Sequence, residues 1–243
     1  MCAESGGHLT RGALMGDVSY TALSVLAVAA ERRGRDDGVP RRVAEVLCEE
    51  LPVDAVTLSV LTHTPDRQML HATNSAAVRL EELQFELEEG PCLTASETGR
   101  PVFVEDLRAK LTEWPLFGSL AREQLPTVAA VYAFPLVDGG TSLGAVDMLR
   151  SVPGPPDEET RSAAQQAVRA AALVLLTGKP VPVWRPGSLV GRHWQRTHQA
   201  AGVLAQSLGI TVDEALARLR ARALGSGRAL PQVTEDVLAL YLG

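Results

Sequence analysis

Hydrophobic and polar positions change period several times along the chain. Leu23, Leu26, Ala27 and Ala30 fall on one helical face and predict a helix from about Val18 to Arg33. GRDDGVP (34–40) breaks it, and Val43, Val46, Leu47 and Leu51 predict a second helix. AVTLSVLT (55–62) is apolar and β-branched, and MLHATN (69–74) reads as its returning partner across the turn HTPDRQ. SAAVRLEELQFELE (75–88) reads as a helix. EGPCLTASETGRPVFVEDL holds a short helix, opened at Gly90-Pro91 and stopped at Gly99, before the strand PVFV. VAAVYAFPLV and SLGAVDMLR form two strands joined by DGGT. Ala164, Val168, Ala171 and Leu175 mark a helix from about Asp157 to Leu176. This part is expected to be an α+β domain, an antiparallel sheet of about five strands with helices.

GKPVPVWRPGS (178–188) reads as a linker, and the remainder is helical only. Val190, Trp194, Thr197, Ala201, Leu204 and Leu208 alternate in steps of four and three, as in an interchain seam. Gly209 stops that helix. Thr211 with Glu214 is a capping box for the next, whose Val212, Ala215, Leu216, Leu219 and Ala223 share a face. Pro231 opens a third helix with the stripe Val233, Val237, Leu240 and Tyr241. The expected division is a tail and helix (1–35), a first domain (36–177), a linker (178–188) and an all-α three-helix bundle (189–243).

Charge adds a second division. The 243-residue chain carries a net −6, which argues against a nucleic-acid binder. Residues 178–243, however, hold eight basic against four acidic side chains, so the −6 splits into +4 there and −10 elsewhere. The positive share is concentrated in DEALARLRARALGSGR (213–228). Arg218 and Arg222 lie about 40° apart on one flank of the helix, Arg220 lies on the other flank, and Arg228 follows in the turn. Guanidinium groups bind phosphate in a fork and stack on exposed bases, so such an edge suits RNA; a solvated helix face is the plain alternative.

HQAAGVLAQSLGITVDEALARLRARALGSGRALPQVTEDVL resembles the ANTAR domain, a three-helix RNA-binding module of bacterial transcription antiterminators. The matching features are Ala200, Gly202, the run from Ile210 to Ala215, Leu219-Arg220, Gly227-Arg228 with Leu230, and Val233 with Val237. Three positions depart from the pattern: Ala201, where many members carry lysine, Ala205 and Thr234. EGPCLTASETGRPVFVEDL and YAFPLVDGGTSLGAVDML resemble a GAF domain. Together they imply a GAF-like sensor followed by an ANTAR-like bundle. The resemblance implies a signal-responsive antiterminator that binds RNA stem-loops, with Arg220 and Arg228 as RNA contacts and Gly202 as a close-packing position. Arg218 and Arg222 join them on helix geometry. A ligand- or redox-sensing protein whose last helices only pair two chains is the rival reading.

GAF domains bind small molecules or pair chains, and the resemblance leaves ligand and cofactor unassigned. LTEWPLF (111–117) reads as a lid or as core, through Trp114 and Phe117. Cys92, in the first turn of a helix, is a redox candidate through the helix dipole, or a buried filler. Sulfoxide reduction on this fold would need a resolving thiol, and Cys48 is the one in range. The three cysteines fit neither a disulfide framework nor a zinc spacing, and His63 and His71 flank a hairpin without metal-site character. No serine-histidine-aspartate spacing, P-loop or nucleotide fingerprint is present. The expectation is therefore a protein that is not an enzyme, cytoplasmic, homodimeric and without a membrane span.

Overall fold

The computed structural model describes residues 19–30, 38–61, 67–176 and 189–242. The chain begins with helices α1 (Tyr20–Ala30) and α2 (Val39–Glu50), then strands β1 (Ala55–Leu61) and β2 (Arg67–Ala72). Helices α3 (Ser75–Leu87) and α4 (Pro91–Thr98) lead to strand β3 (Val102–Val104) and helix α5 (Pro115–Gln124). Strands β4 (Ala130–Asp138) and β5 (Thr141–Arg150) and helix α6 (Glu158–Leu176) complete the first unit. Helices α7 (Leu189–Leu208), α8 (Val212–Ser226) and α9 (Leu230–Leu242) form the second.

The five strands form one antiparallel sheet in the order β2-β1-β5-β4-β3. This is the α+β architecture expected from the pattern. One element was not expected. LTEWPLF runs into α5, with Pro115 in its first turn, and the Glu89 carboxylate accepts hydrogen bonds from the amides of Leu116 and Phe117.

Strand alternation gives the sheet two inner faces. Val56, Leu58, Tyr132, Phe134, Val146 and Met148 meet α1, α2 and α6 on one face. Ala22, Val25 and Val28 of α1 belong to that same core, although the sequence division placed α1 with the tail. On the other face Ala55, Val131 and Leu149 meet apolar side chains of α3 and α5. Two glycines permit close approaches. A Cβ on Gly144 (φ 144°) would stand 2.1 Å from the Ser59 carbonyl oxygen, and one on Gly90 (φ 137°) would stand 2.6 Å from Gln84 Oε1.

Local signals explain the helix ends. Asn74 Oδ1 accepts from the Ala77 amide at 2.9 Å, and Gly99 closes α4 in the left-handed region. Both halves of the Thr211–Glu214 capping box are present. Ala200, Ala201, Leu216, Leu219, Val233 and Val237 fill the core of the helical unit. The stripe expected as an interchain seam is partly used inside that unit: Thr197 and Ala201 are buried, with the hydroxyls of Thr197 and Thr234 3.2 Å apart. The side chains of Val190 and Trp194, the terminus 1–16, the linker 178–188 and His63 lie outside the described residues. Among the described residues no helix is long and apolar enough to cross a membrane.

Candidate functional site

Beneath α3 and α4 the sheet changes character. β1 turns Thr57 and Ser59 inward, and β5 turns Asp147 inward directly opposite Thr57; all three are 0% exposed. Glu81 and Gln84 of α3 and Cys92 of α4 face them and are equally enclosed. Gln84 ties the group together. Its Nε2 donates to Asp147 Oδ2 at 2.7 Å, and its Oε1 accepts from the Cys92 amide at 2.8 Å. The Cys92 sulfur lies 3.7 Å from Ser59 Oγ. One carboxylate oxygen each from Glu81 and Asp147 and the Cys92 sulfur lie within 4.8 Å of one another, a donor set able to hold a metal ion. Burying this many polar groups is costly unless they bond to each other or to a ligand.

Cys92, singled out in the sequence for redox chemistry, is therefore part of this cluster. It is fully enclosed, whereas a reactive thiol needs partial exposure. Cys48 lies on α2, against the apolar core on the opposite side of the sheet, where burial pushes its thiol pKa up. The sheet stands between the two sulfurs, so they cannot pair as nucleophile and resolving thiol in this fold. His71 is half-buried, and burial lowers its pKa.

Trp114 and Phe117 do not form a lid over the cluster. Phe117 is 0% exposed within the α3–α5 core, and Trp114 donates its indole N–H to Thr94 Oγ1 at 3.1 Å. Trp114 also lines an open groove of about 470 Å³ beside β3, together with Phe103, Asp106 and Lys110.

The arginines separate into two groups. Arg218 and Arg222 are exposed on α8, and Arg228 pairs with Asp236 at 2.6 Å on the surface, which raises the guanidinium pKa and lowers that of the carboxylate. Arg220 turns away from them onto α3. Its side chain is 12% exposed, ion-paired with Glu88, and stacked 4.6 Å from the Phe85 ring centroid. Phe85 also meets His198 of α7 edge-on, at 5.9 Å between centroids. Glu88 has a left-handed backbone (φ 52°), the one such non-glycine residue among those described. Nothing described lies within 4 Å of a Cβ built on Gly202, so close packing does not require glycine there. Ala201 sits in the bundle core at 0% exposure.

Sequence reasoning missed Glu81, Gln84, Asp147, Phe85 and Glu88. Glu81 and Gln84 did carry a signal, since they interleave with Leu80, Leu83 and Leu87. Phe85 follows Glu81 by one turn of α3, and Glu88, four residues after Gln84, is the left-handed residue that caps the helix. The helix that closes the polar cluster is thus the helix that holds Arg220.

The GAF domain family matches residues 37–176. No curated protein matches. Similar solved structures include the GAF domain of a phosphoenolpyruvate-protein phosphotransferase from Coxiella burnetii, at 16% identity and TM-score 0.48, covering 64% of this chain and 94% of that one. Free methionine-R-sulfoxide reductase from Neisseria meningitidis, in complex with its substrate, has 16% identity and TM-score 0.48, covering 64% and 86%. A GAF domain/HD domain protein from Geobacter sulfurreducens has 19% identity and TM-score 0.47, covering 59% and 93%. Likeness at this level assigns no activity. It does correct the expectation that the chain is not an enzyme, because GAF-fold reductases stand among the structures it resembles.

Proposed function

From the premise that the chain belongs to the GAF domain family, we propose that it is a signal-responsive regulator whose last helices bind RNA. In this reading the buried cluster of the GAF domain is the sensing end. Residues 189–243 form an ANTAR-like unit that grips stem-loops in nascent RNA and acts as an antiterminator. The observation that carries the reading is the path through α3. Glu81 and Gln84 face the cluster, while Phe85 and Glu88, one turn on, hold Arg220 of α8. A signal that shifts α3 changes the grip on Arg220. Released, that guanidinium adds to the exposed Arg218 and Arg222, which offer phosphate contacts on their own.

A gel shift with RNA hairpins at fixed salt tests this. Glu88→Gln is expected to tighten binding several-fold. Arg218→Ala with Arg222→Ala is expected to weaken it at least tenfold while the melting temperature holds. Undiminished binding by the double variant refutes the RNA assignment.

One observation favours the rival, in which the last helices have only a pairing role. Arg220 and Arg228, and Arg196 with Glu235, are engaged in ion pairs within the chain. The same gel shift separates the readings, because the rival expects no specific hairpin complex for any variant. Both readings include a homodimer. The rival places its contact on the last helices; in the RNA-binding reading we place it on α1, where Tyr20, Leu23 and Leu26 remain 70%, 45% and 40% exposed. Leu23→Glu with Leu26→Glu is expected to convert the protein to monomer in sedimentation; an unchanged dimer moves the interface elsewhere.

A further inference from the structure

Glu81, Cys92 and Asp147 reach the same point from α3, α4 and β5, and each is at most 1% exposed. We infer that they bind one divalent transition-metal ion, through a carboxylate oxygen of Glu81, a carboxylate oxygen of Asp147 and the sulfur of Cys92. The inference deepens the sensing reading, since it names the ligand chemistry of the proposed sensing end, and it rests on that reading only for the ion's regulatory role.

Geometry supports the site. Three atoms 4.8 Å apart have a common point about 2.8 Å from each, and metal–oxygen and metal–sulfur bonds of about 2.0–2.3 Å require side-chain shifts of under about 1 Å. The donors also discriminate. One soft thiolate with two carboxylates suits zinc(II), iron(II) or cobalt(II), whereas calcium and magnesium take oxygen donors in larger numbers.

Two further features point to an ion. Thr57 stands opposite Asp147 in the β1–β5 register, so its side chain shares the face that carries Asp147. Its hydroxyl is fully buried and has no hydrogen-bond partner among the described residues. Three protein ligands leave a fourth position, and a water held there by the ion would give that hydroxyl its partner. The second feature is Gln84, which bonds to Asp147 Oδ2 and to the Cys92 amide and so fixes two of the three ligand residues. Gly90 leaves room for Gln84, because a Cβ there would stand 2.6 Å from its amide oxygen. Binding releases the Cys92 thiol proton to solvent, and the thiolate becomes the ligand.

The full-length protein, stripped with a chelator, is titrated with cobalt(II). One equivalent per chain is expected to bind and to give a thiolate-to-cobalt charge-transfer band in the near ultraviolet. Cys92→Ser is expected to abolish the band, Cys48→Ser to retain it, and Asp147→Asn to weaken binding at least tenfold. Zinc(II) is expected to displace the cobalt and to raise the melting temperature of the natural protein but not of Cys92→Ser. Should Asp147→Asn fail to fold, Glu81→Gln supplies the same comparison. Absence of the band in the natural protein, or its survival in Cys92→Ser, overturns the site. Hairpin binding measured with and without the ion keeps the two ideas apart. A bound ion without effect on RNA leaves the metal site standing and removes its regulatory role.

Discussion

Where α1, α2 and α6 cover the sheet, the central strands present Val56, Leu58, Tyr132, Phe134, Val146 and Met148. Where α3 and α4 cover it, the same β1 and β5 present Thr57, Ser59 and Asp147, and the helices answer with Glu81, Gln84 and Cys92. Both faces exclude water. The first gains stability from each side chain it encloses. The second must desolvate hydroxyls, carboxylates and an amide, and recovers that cost only through a few well-aimed hydrogen bonds. A fold that needed only a core would have no reason to differ between its two faces, so the polar face is where a ligand is to be sought.

Substitutions can break or sharpen this contrast, and Phe134→Ala on the apolar face should have the largest effect. Phe134 is 1% exposed, and its loss should cost about 4 kcal/mol in denaturant unfolding. A cost near zero would mean that this face is not the stabilising one. On the polar face, Gln84→Leu removes the donor to Asp147 Oδ2 and the acceptor for the Cys92 amide at nearly constant volume. The expected loss is about 2 kcal/mol in the same measurement, because buried partners are left unsatisfied. The smallest effect should have the opposite sign. Thr57→Val removes a buried hydroxyl that has no hydrogen-bond partner among the described residues, so the metal-free protein should gain about 1 kcal/mol. A loss of stability there would show that the hydroxyl belongs to the structure and not to a ligand.

The apolar face was legible in the sequence where period and burial agree, in its strands and in α2 and α6, whereas the α1 face read from Leu23, Leu26 and Ala27 is exposed and Ala22, Val25 and Val28 form its core. Strand β1 was recognised from AVTLSVLT, but alternation shows only that Thr57 and Ser59 point away from Val56 and Leu58. It does not say that two helices will cover them. Glu81 and Gln84 border the Leu80, Leu83 and Leu87 face of α3, but only the packing of α3 on β1 and β2 shows that this border is buried. In LTEWPLF the large apolar groups Trp114 and Phe117 suit a lid or a core alike, and the sign of α5 is Pro115 between them, a residue suited to a first helical turn. Arg218 and Arg222 were correctly placed on one flank of α8 and Arg220 on the other. Helix geometry could not supply the opposing Glu88, which lies 132 residues away in sequence.

Any communication between the two ends through α3 and its cap is reciprocal. If occupancy of the inner cluster changes how tightly the last helices hold a nucleic acid, thermodynamics requires the nucleic acid to change the cluster's affinity by the same factor. A cell loaded with target transcript would then read a different threshold of the signal from one without it.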